Sequence, residues 1–193
     1  KHMEISTEKS LWYLFIEGDL NAFSSLFKHF YPMLHNYGLK ISGNTELTED
    51  TLQSFFVYLH EHKHTIGKVS NVKAYLFISF RRDLFKNLKK EKKYTSYNYS
   101  NTLESNFSLS IEELSTKQEA FKLKSSVLIQ LLNSLSARER EAIYLKYYSN
   151  LNTKQIAEIM DITYQSVLNT LQKAFTKLRA KSENNLIQNI LNS

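Results

Sequence analysis

The chain of 193 residues contains no cysteine, one proline and four glycines. The absence of cysteine excludes disulfides, thiolate metal sites and cysteine nucleophiles. Because proline and glycine supply the tight turns of all-β proteins, their scarcity favours an all-α fold. No apolar run approaches the roughly 20 residues that cross a bilayer, and no signal-peptide pattern opens the chain. We therefore expect a cytoplasmic protein without membrane insertion.

Hydrophobic residues make up 42% of the chain and aromatic residues 13%, which is enough to build buried cores. Amphipathic segments with helical spacing lie on both sides of one polar stretch, YTSYNYSNTLESNFSLSIEELS (94–115). This stretch is rich in serine, asparagine and threonine, as flexible linkers are. We predict two small helical domains, residues 8–95 and 118–182. A flexible linker, residues 96–117, joins them, and a C-terminal tail, residues 183–193, follows.

The net charge of +6 is carried by two basic blocks, which lie on either side of a short acidic segment. Basic surfaces on two modules are typical of proteins that bind a polyanion such as nucleic acid. Ordinary solvated helix surfaces can have the same composition. Charge alone therefore leaves both interpretations open.

The segment HEHKH (60–64) matches the H-E-x-x-H pattern of zinc hydrolases. In that pattern two histidines one helical turn apart bind the metal and the glutamate activates water. Projection of a helix that starts at Thr48 places both histidines on the flank of its buried stripe or towards solvent. No histidine follows His64 to supply a third ligand. We therefore predict no metal site, no catalytic residues and no enzymatic activity.

The stretch NTKQIAEIMDITYQSVLNTLQKAFTKLR (152–179) is the most informative part of the chain. Asn152 and Gln155 can form a capping box at the start of a short helix. The turn after this helix needs a residue in the left-handed backbone conformation, which Asp161 tolerates. Thr163 can cap the next helix. Two helices joined by a three-residue turn are typical of a helix-turn-helix, whose second helix enters the major groove of DNA.

The second helix of this pair has one apolar and one polar face. Val167, Leu171 and Ala174 share the stripe that is predicted to pack inward. The outer face carries glutamine and asparagine, the side chains that pair with adenine edges. A helical hairpin in a bundle without a DNA role is the alternative, and the composition of the outer face argues against it.

The N-terminal half contains three further segments in a fixed order, GDLNAFSSLFKHFYPMLHNYGLKI (18–41), LTEDTLQSFFVYL (47–59) and NVKAYLFISFRRDLFKNLKKEKK (71–93). Residues 135–179 follow these segments. In this order the four segments resemble those of the bacterial extracytoplasmic-function (ECF) sigma factors, in particular the variety common in Bacteroidetes. The resemblance implies an alternative sigma factor that binds core RNA polymerase and directs promoter-specific transcription initiation. It also implies promoter DNA and an anti-sigma factor as partners, and no cofactor.

The family's E-D-x-x-Q-x-x-F pattern occurs here as Glu49, Asp50, Gln53 and Phe56. In the family this helix docks onto the clamp helices of the polymerase. The aromatic residue of the pattern lies on the buried stripe and is expected in the core. The residues that the resemblance assigns to core polymerase binding are Glu49, Asp50, Gln53 and Ser54.

A loop that corresponds to residues 66–71 captures a flipped base of the minus-ten promoter element in the family, and the next helix faces the melted strand. The aromatic and basic side chains of that helix suit single-stranded DNA, in which bases stack and phosphates need neutralising. Leu76, Phe80 and Leu84 share one stripe and are expected in the core. The residues assigned to the minus-ten element are Ser70, Asn71, Lys73, Tyr75, Arg81 and Arg82.

The C-terminal helix-turn-helix corresponds to the family's fourth-region domain, which reads the minus-thirty-five element. Leu168 and Thr170 stand where many relatives carry basic residues, so we expect an unusual element. We hypothesise that Gln165, Asn169 and Gln172 read A·T-rich DNA. The residues assigned to the minus-thirty-five element are Thr163, Tyr164, Gln165, Leu168, Asn169, Gln172 and Lys173.

A stand-alone helix-turn-helix regulator, which binds operators as a dimer without polymerase, is the alternative to a sigma factor. It leaves the N-terminal pattern unexplained. The C-terminal tail has an apolar face that can either pack on a domain or meet an anti-sigma partner. This face consists of Leu186, Ile187, Ile190 and Leu191.

Overall fold

The computed structural model describes residues 5–95, 107 and 128–183. The chain divides into two compact units, Lys1–Leu103 and Glu104–Ser193. The regular elements within the described ranges are all helices, which confirms the all-α prediction. No helix in those ranges combines the length and the apolar character that a membrane span needs.

The described part of the N-terminal unit, residues 5–95, contains five helices. They are α1 (Ile5–Ile16), α2 (Leu20–Ser42), α3 (Thr45–Glu61), α4 (Lys63–Ile66) and α5 (Val72–Thr95).

Side chains next to the two long helices fix where these begin. The carboxylate of Asp19 accepts hydrogen bonds from the backbone N–H groups of Asn21 and Ala22, which caps α2. The side chain of Asn44 accepts from the N–H of Leu47 and caps α3. Such caps satisfy backbone donors that have no partner within the helix.

The core of this unit lies where α2, α3 and α5 pack together. Phe30, Leu34 and Tyr37 of α2 are completely buried. The predicted core stripe of α5 is confirmed, since Leu76, Phe80 and Leu84 are at most 1% exposed. Burial of Leu52, Phe55 and Phe56 likewise confirms the stripe expected on α3.

Gly38 marks the closest approach between these helices. A Cβ atom at this position would lie 2.7 Å from Cγ2 of Thr48 and 2.9 Å from Cζ of Phe80. Both neighbours are completely buried. Glycine therefore allows α2 to pack directly against α3 and α5.

We expect Gly38→Ala to destabilise the N-terminal unit by about 1–3 kcal/mol, because overpacking outweighs the gain of about 1 kcal/mol in helix propensity. Urea unfolding of the full chain measures this change. Ser25→Ala, on the exposed side of the same helix, is the control and should change the free energy of unfolding by less than about 0.5 kcal/mol. Equal stability of both variants would contradict the packing argument.

Helices also build the described part of the C-terminal unit. Residues 128–133 are helical. Next come α6 (Ala137–Ile143), which continues as a π-helical turn (Tyr144–Tyr148), then α7 (Thr153–Met160) and α8 (Tyr164–Glu183). Buried side chains from all three helices form the core, among them Ala142, Leu145, Ile156, Val167 and Ala174.

Phe107 belongs to the segment predicted as a flexible linker, yet it is completely buried. Its ring packs edge-on against Tyr144 with 5.4 Å between the ring centroids. Its carbonyl oxygen accepts a hydrogen bond from Nε of Arg140. This residue is therefore fixed on the C-terminal unit, while the other residues of the predicted linker, 96–106 and 108–117, lie outside the described residues, as do 184–193 of the predicted tail.

Candidate functional site

The helix-turn-helix of the C-terminal unit has the local geometry that its sequence predicts. Asn152 and Gln155 form a reciprocal capping box, with distances of 2.8 and 3.0 Å between side-chain oxygen and backbone nitrogen. Asp161 adopts the left-handed conformation, with φ 54° and ψ 52°. The hydroxyl of Thr163 accepts from the N–H of Ser166 at 3.1 Å and caps α8. The predicted capping and turn roles of these residues are therefore confirmed.

The two faces of α8 differ as the sequence indicates. Val167, Leu171 and Ala174 are buried against the rest of the unit. The Nε2 group of Gln165 donates a hydrogen bond to Oδ1 of Asn169 at 3.1 Å on the outer face. This bond restrains both amides before any ligand arrives, so that they offer a fixed set of donors and acceptors.

All seven residues that the sequence assigns to the minus-thirty-five element are exposed. They lie on one helix and at the turn before it, so the fold brings them together on one surface. Further along the helix, Asn169, Gln172 and Lys173 line a shallow groove of about 430 Å³. A convex helix with amide groups and an ammonium group on its outer face is the arrangement that reads a DNA major groove.

An ion pair ties α8 to the start of α6. Nζ of Lys177 lies 2.8 and 2.9 Å from the two carboxylate oxygens of Glu139. Glu139 is buried and also accepts from the N–H of Ser136 at 2.8 Å. Burial alone would raise the pKa of Glu139, but the hydrogen bonds from Lys177 and Ser136 outweigh it and hold the pKa below its ordinary value. Lys177 thus has an acidic partner within the protein.

We expect Glu139→Gln to destabilise the C-terminal unit by about 1–2 kcal/mol at neutral pH, a moderate value because Lys177 is half exposed. The pKa of Glu139 is lowered in the folded state, so its contribution is complete at neutral pH and disappears as the pH falls through that pKa. Urea unfolding, followed by hydrogen exchange in α6 and α8, measures the difference. The difference in the free energy of unfolding should shrink at acidic pH. The exposed control Glu158→Gln should unfold with the same free energy as the unaltered chain. A difference that is independent of pH would contradict this assignment.

A groove of about 850 Å³ runs between α2 and α3 in the N-terminal unit. The rings of Phe23, Phe27 and Tyr31 from α2 line its apolar side. Apolar side chains are also open to solvent here, since Leu20 is 65% and Val57 52% exposed. A patch of this kind on a small folded unit is typical of a protein-binding surface.

The other side of this groove is polar and acidic. Glu49, Asp50 and Gln53 line it from the first turns of α3, and Glu61 from its last turn. The carboxylate of Glu49 lies 3.3 Å from Nε2 of His35. Ser54, the fourth residue assigned to polymerase binding, is exposed but does not line the groove. The groove thus suits a partner with apolar and basic side chains.

The residues assigned to the minus-ten element have mixed surroundings. Ser70 and Arg82 are exposed. Asn71 uses its side-chain oxygen to accept from the N–H of Ala74 at 2.7 Å, which caps α5. Tyr75 packs edge-on against Trp12 with 5.4 Å between the ring centroids. The guanidinium of Arg81 lies 4.5 Å from the ring centroid of Phe85.

Lys73 is not a freely solvated cation. It is partly buried next to the buried carboxylate of Glu8. Burial lowers the pKa of Lys73, and the charge of Glu8 counteracts this. Phe77, an aromatic candidate for stacking with single-stranded DNA, is completely buried and belongs to the core.

The histidine pattern at residues 60–64 does not form one helical turn. α3 ends at Glu61, and His62 separates it from α4, which contains His64. His60 instead packs against the ring of Phe23 at 5.2 Å between centroids. In the part of the chain that the structure describes, no group of three or more histidine, aspartate or glutamate side chains is placed to hold a metal ion.

Sequence reasoning missed Trp12 and Phe107. Trp12 is 3% exposed, and its Nε1–H donates to the carbonyl oxygen of Gly67 at 3.0 Å. The sequence indicates the burial of Trp12 in part, because it is the one tryptophan of the chain and lies on an amphipathic segment. Its partner is 55 residues away, a separation at which helical spacing carries no information.

Comparison with known proteins agrees with this architecture. The family model described as sigma-70, region 4 matches residues 125–178, which include the helix-turn-helix. The ECF RNA polymerase sigma factor SigM of Bacillus subtilis (strain 168) is 26% identical over 148 residues, which cover 76% of this chain and 86% of SigM. The ECF RNA polymerase sigma factor SigL of Mycobacterium tuberculosis (strain H37Rv) is 27% identical over 157 residues, covering 80% and 85%.

Two solved structures have a similar fold. CnrH in complex with the cytosolic domain of CnrY has a TM-score of 0.61 at 15% identity, over 93% of this chain and 99% of that one. The sigma factor RpoE in complex with the anti-sigma factor NepR from Bartonella quintana has a TM-score of 0.58 at 20% identity, over 86% and 99%.

The fold and the exposed face of α8 define a two-unit helical protein of transcription with a DNA-binding helix-turn-helix. The relatives that match most of the chain are ECF RNA polymerase sigma factors, and this match supports a role in transcription initiation. The comparisons thus support the resemblance that the sequence suggested at the level of the family.

Proposed function

We propose that this sigma factor binds core RNA polymerase through the groove between α2 and α3 and directs it to promoters with two separate recognition elements. Two features of one chain carry the proposal. One unit has a groove with an apolar floor and an acidic rim, and the other has a helix-turn-helix whose second helix exposes amide side chains. We further propose that it is of the Bacteroidetes type, acts in the cytoplasm and performs no chemistry itself.

The composition of the groove supports a polymerase-docking role. An apolar floor favours burial against the side chains of a partner helix, at about 25 cal/mol for each Å² removed from water. The carboxylates of Glu49 and Asp50 stand at one edge, where they can select basic groups of the partner. Helix-in-groove docking uses this combination of an apolar groove and a charged rim.

The exposed face of α8 supports recognition of the minus-thirty-five element by Gln165, Leu168, Asn169 and Gln172. Paired amides suit adenine edges, and an apolar side chain suits the methyl group of thymine. Leu168 is 37% exposed between these amides. The ammonium group of Lys173 adds a phosphate contact that positions the helix without reading sequence.

We assign residues 67–71, the α4–α5 loop, and the adjacent surface of α5 to the minus-ten element. Ser70 and Arg82 supply an exposed hydroxyl and an exposed guanidinium on this surface. Such groups fit the phosphates and unpaired bases of a melted strand. The buried surroundings of Lys73 make it the weakest candidate for this contact.

An anti-sigma factor is the second proposed protein partner. One structural relative is described as a sigma factor in complex with an anti-sigma factor. The groove between α2 and α3 would offer such a partner an apolar surface with an acidic rim. An inhibitor bound there would compete directly with polymerase.

Transcription reconstituted from purified components tests the proposed function. Core polymerase is mixed with the full chain, and start sites on genomic DNA fragments are mapped. Specific starts that need the chain support the proposal. The chain would instead be a stand-alone regulator if it binds palindromic DNA as a dimer and leaves core polymerase inactive.

A further inference from the structure

α1 holds the α4–α5 loop at the point where the loop begins. The indole N–H of Trp12 donates to the carbonyl oxygen of Gly67 at 3.0 Å. The indole itself is 3% exposed, with Phe15 and Tyr75 edge-on to it at centroid distances of 5.3 and 5.4 Å. A donor held this firmly fixes the direction of the carbonyl group that it binds.

The backbone at this point also depends on glycine. Gly67 has φ 69° and ψ −162°, a region that residues with a side chain rarely adopt. The chain leaves α4 at this residue, so the backbone angles of Gly67 set the direction in which the loop starts. At the other end of the loop, the side chain of Asn71 caps α5. The residues between these two fixed points have their positions set from both ends.

Two further contacts join α1 to the same region. The ammonium group of Lys68 lies 5.4 Å from the ring centroid of Tyr13. The buried carboxylate of Glu8 faces Lys73 in the first turn of α5. Contacts from Glu8, Trp12 and Tyr13, on neighbouring turns of α1, thus converge on the loop and on the helix that follows it.

We propose that Trp12 is a positioning residue for the minus-ten element, acting through Gly67 on the α4–α5 loop. The proposal rests on the assignment of this loop to single-stranded promoter DNA. α1 acts as a brace that holds the loop in the conformation that receives an unpaired base. Trp12 itself touches no DNA, and its contribution is to remove the cost of ordering the loop when the base enters.

Hydrogen exchange in the free protein tests the brace independently of DNA. Trp12→Phe keeps an aromatic ring in the pocket and removes the donor to Gly67. The amides of Ala74 and Tyr75 donate to Asn71 at the end of the loop and are therefore protected. We expect them to exchange about fivefold faster in this variant, the factor for loss of one ordinary hydrogen bond. Gly38→Ala is the control for a general loss of stability in the same unit, because the atoms nearest to its Cβ belong to Thr48 and Phe80, which are not part of the loop. The proposal would be overturned if these amides exchange in Trp12→Phe at the same rate as in the unaltered chain. It would also be overturned if their exchange rates change equally in both variants.

Binding of single-stranded DNA to the holoenzyme tests the functional part. A fluorescent oligonucleotide with the minus-ten sequence of a mapped promoter is titrated against polymerase that carries each variant. We expect Trp12→Phe to weaken binding about five- to tenfold and to reduce discrimination against a substituted base at the captured position. Its affinity for core polymerase should stay within about twofold of the unaltered chain, because the docking groove is not involved.

The outcomes separate the two proposals. If the unaltered holoenzyme binds no such oligonucleotide while exchange of the Ala74 and Tyr75 amides still responds to Trp12→Phe, the assignment of the loop to promoter DNA is wrong and the brace remains. If the unaltered holoenzyme binds and Trp12→Phe binds equally well with equal discrimination, the positioning role is wrong. If Trp12→Phe and Gly38→Ala lose the same affinity for the oligonucleotide, the effect is one of stability alone. That result would also overturn the positioning role.

Discussion

Asp50→Arg is expected to weaken binding of the sigma factor to core RNA polymerase about 30-fold or more. Asp50 lines the groove between α2 and α3 on its acidic side. If basic groups of the polymerase meet this side, reversal of one charge replaces an attraction with a repulsion that costs at least about 2 kcal/mol. Competition with a labelled sigma factor for core polymerase measures the change.

Glu46→Arg is the matched control for this variant. It makes the same change in net charge in the first turn of the same helix, at an exposed position that does not line the groove. We expect its affinity for core polymerase to change less than about threefold. Because the Asp50 contact is electrostatic, the gap between the two variants should narrow as salt rises. Equal affinities of Asp50→Arg and the unaltered chain would place the docking surface elsewhere.

The double variant Gln165→Ala, Asn169→Ala is expected to lower affinity of the holoenzyme for its minus-thirty-five element by about 10- to 100-fold. Each bidentate contact between an amide and adenine contributes about 1–3 kcal/mol of discrimination. The two side chains bond to each other at 3.1 Å, so either single variant also releases the other amide. The losses from the single variants should therefore not add up to that of the double variant.

Lys173→Ala separates positioning from reading of the sequence. An ammonium group that contacts phosphate contributes equally on every sequence, so this variant should weaken all sites alike and reduce the dependence on salt. The amide variant should instead lose its preference for A·T pairs while its dependence on salt stays the same. Binding measured on a panel of substituted elements distinguishes the two. Equal loss on A·T and G·C substitution in the unaltered chain would contradict the A·T hypothesis.

The helix-turn-helix could be predicted closely because its signals are local. The cap donors and acceptors at Asn152 and Gln155 are three residues apart, and so are those at Thr163 and Ser166. Asp161 needs nothing beyond its own tolerance of a left-handed backbone. Features of this kind are fixed by neighbours along the chain, and a single sequence contains them all.

Features set by distant partners could not be predicted. The pair of Glu139 and Lys177 spans 38 residues, so the sequence near Lys177 does not indicate its partner. Phe77 looked available for stacking because a helical stripe specifies one buried side, whereas α5 contacts α1, α2 and α3. The break at His62 was also hidden, since the sequence around it continues a helical pattern that the chain interrupts.

The surroundings of Trp12 have a spectroscopic consequence. The chain contains a single tryptophan, and that indole is shielded from solvent and bonded to the carbonyl group at the start of the α4–α5 loop. Emission from an indole depends on the polarity and hydrogen bonding around it. The unlabelled protein therefore carries an intrinsic fluorescent probe whose emission reports on the conformation of this one loop.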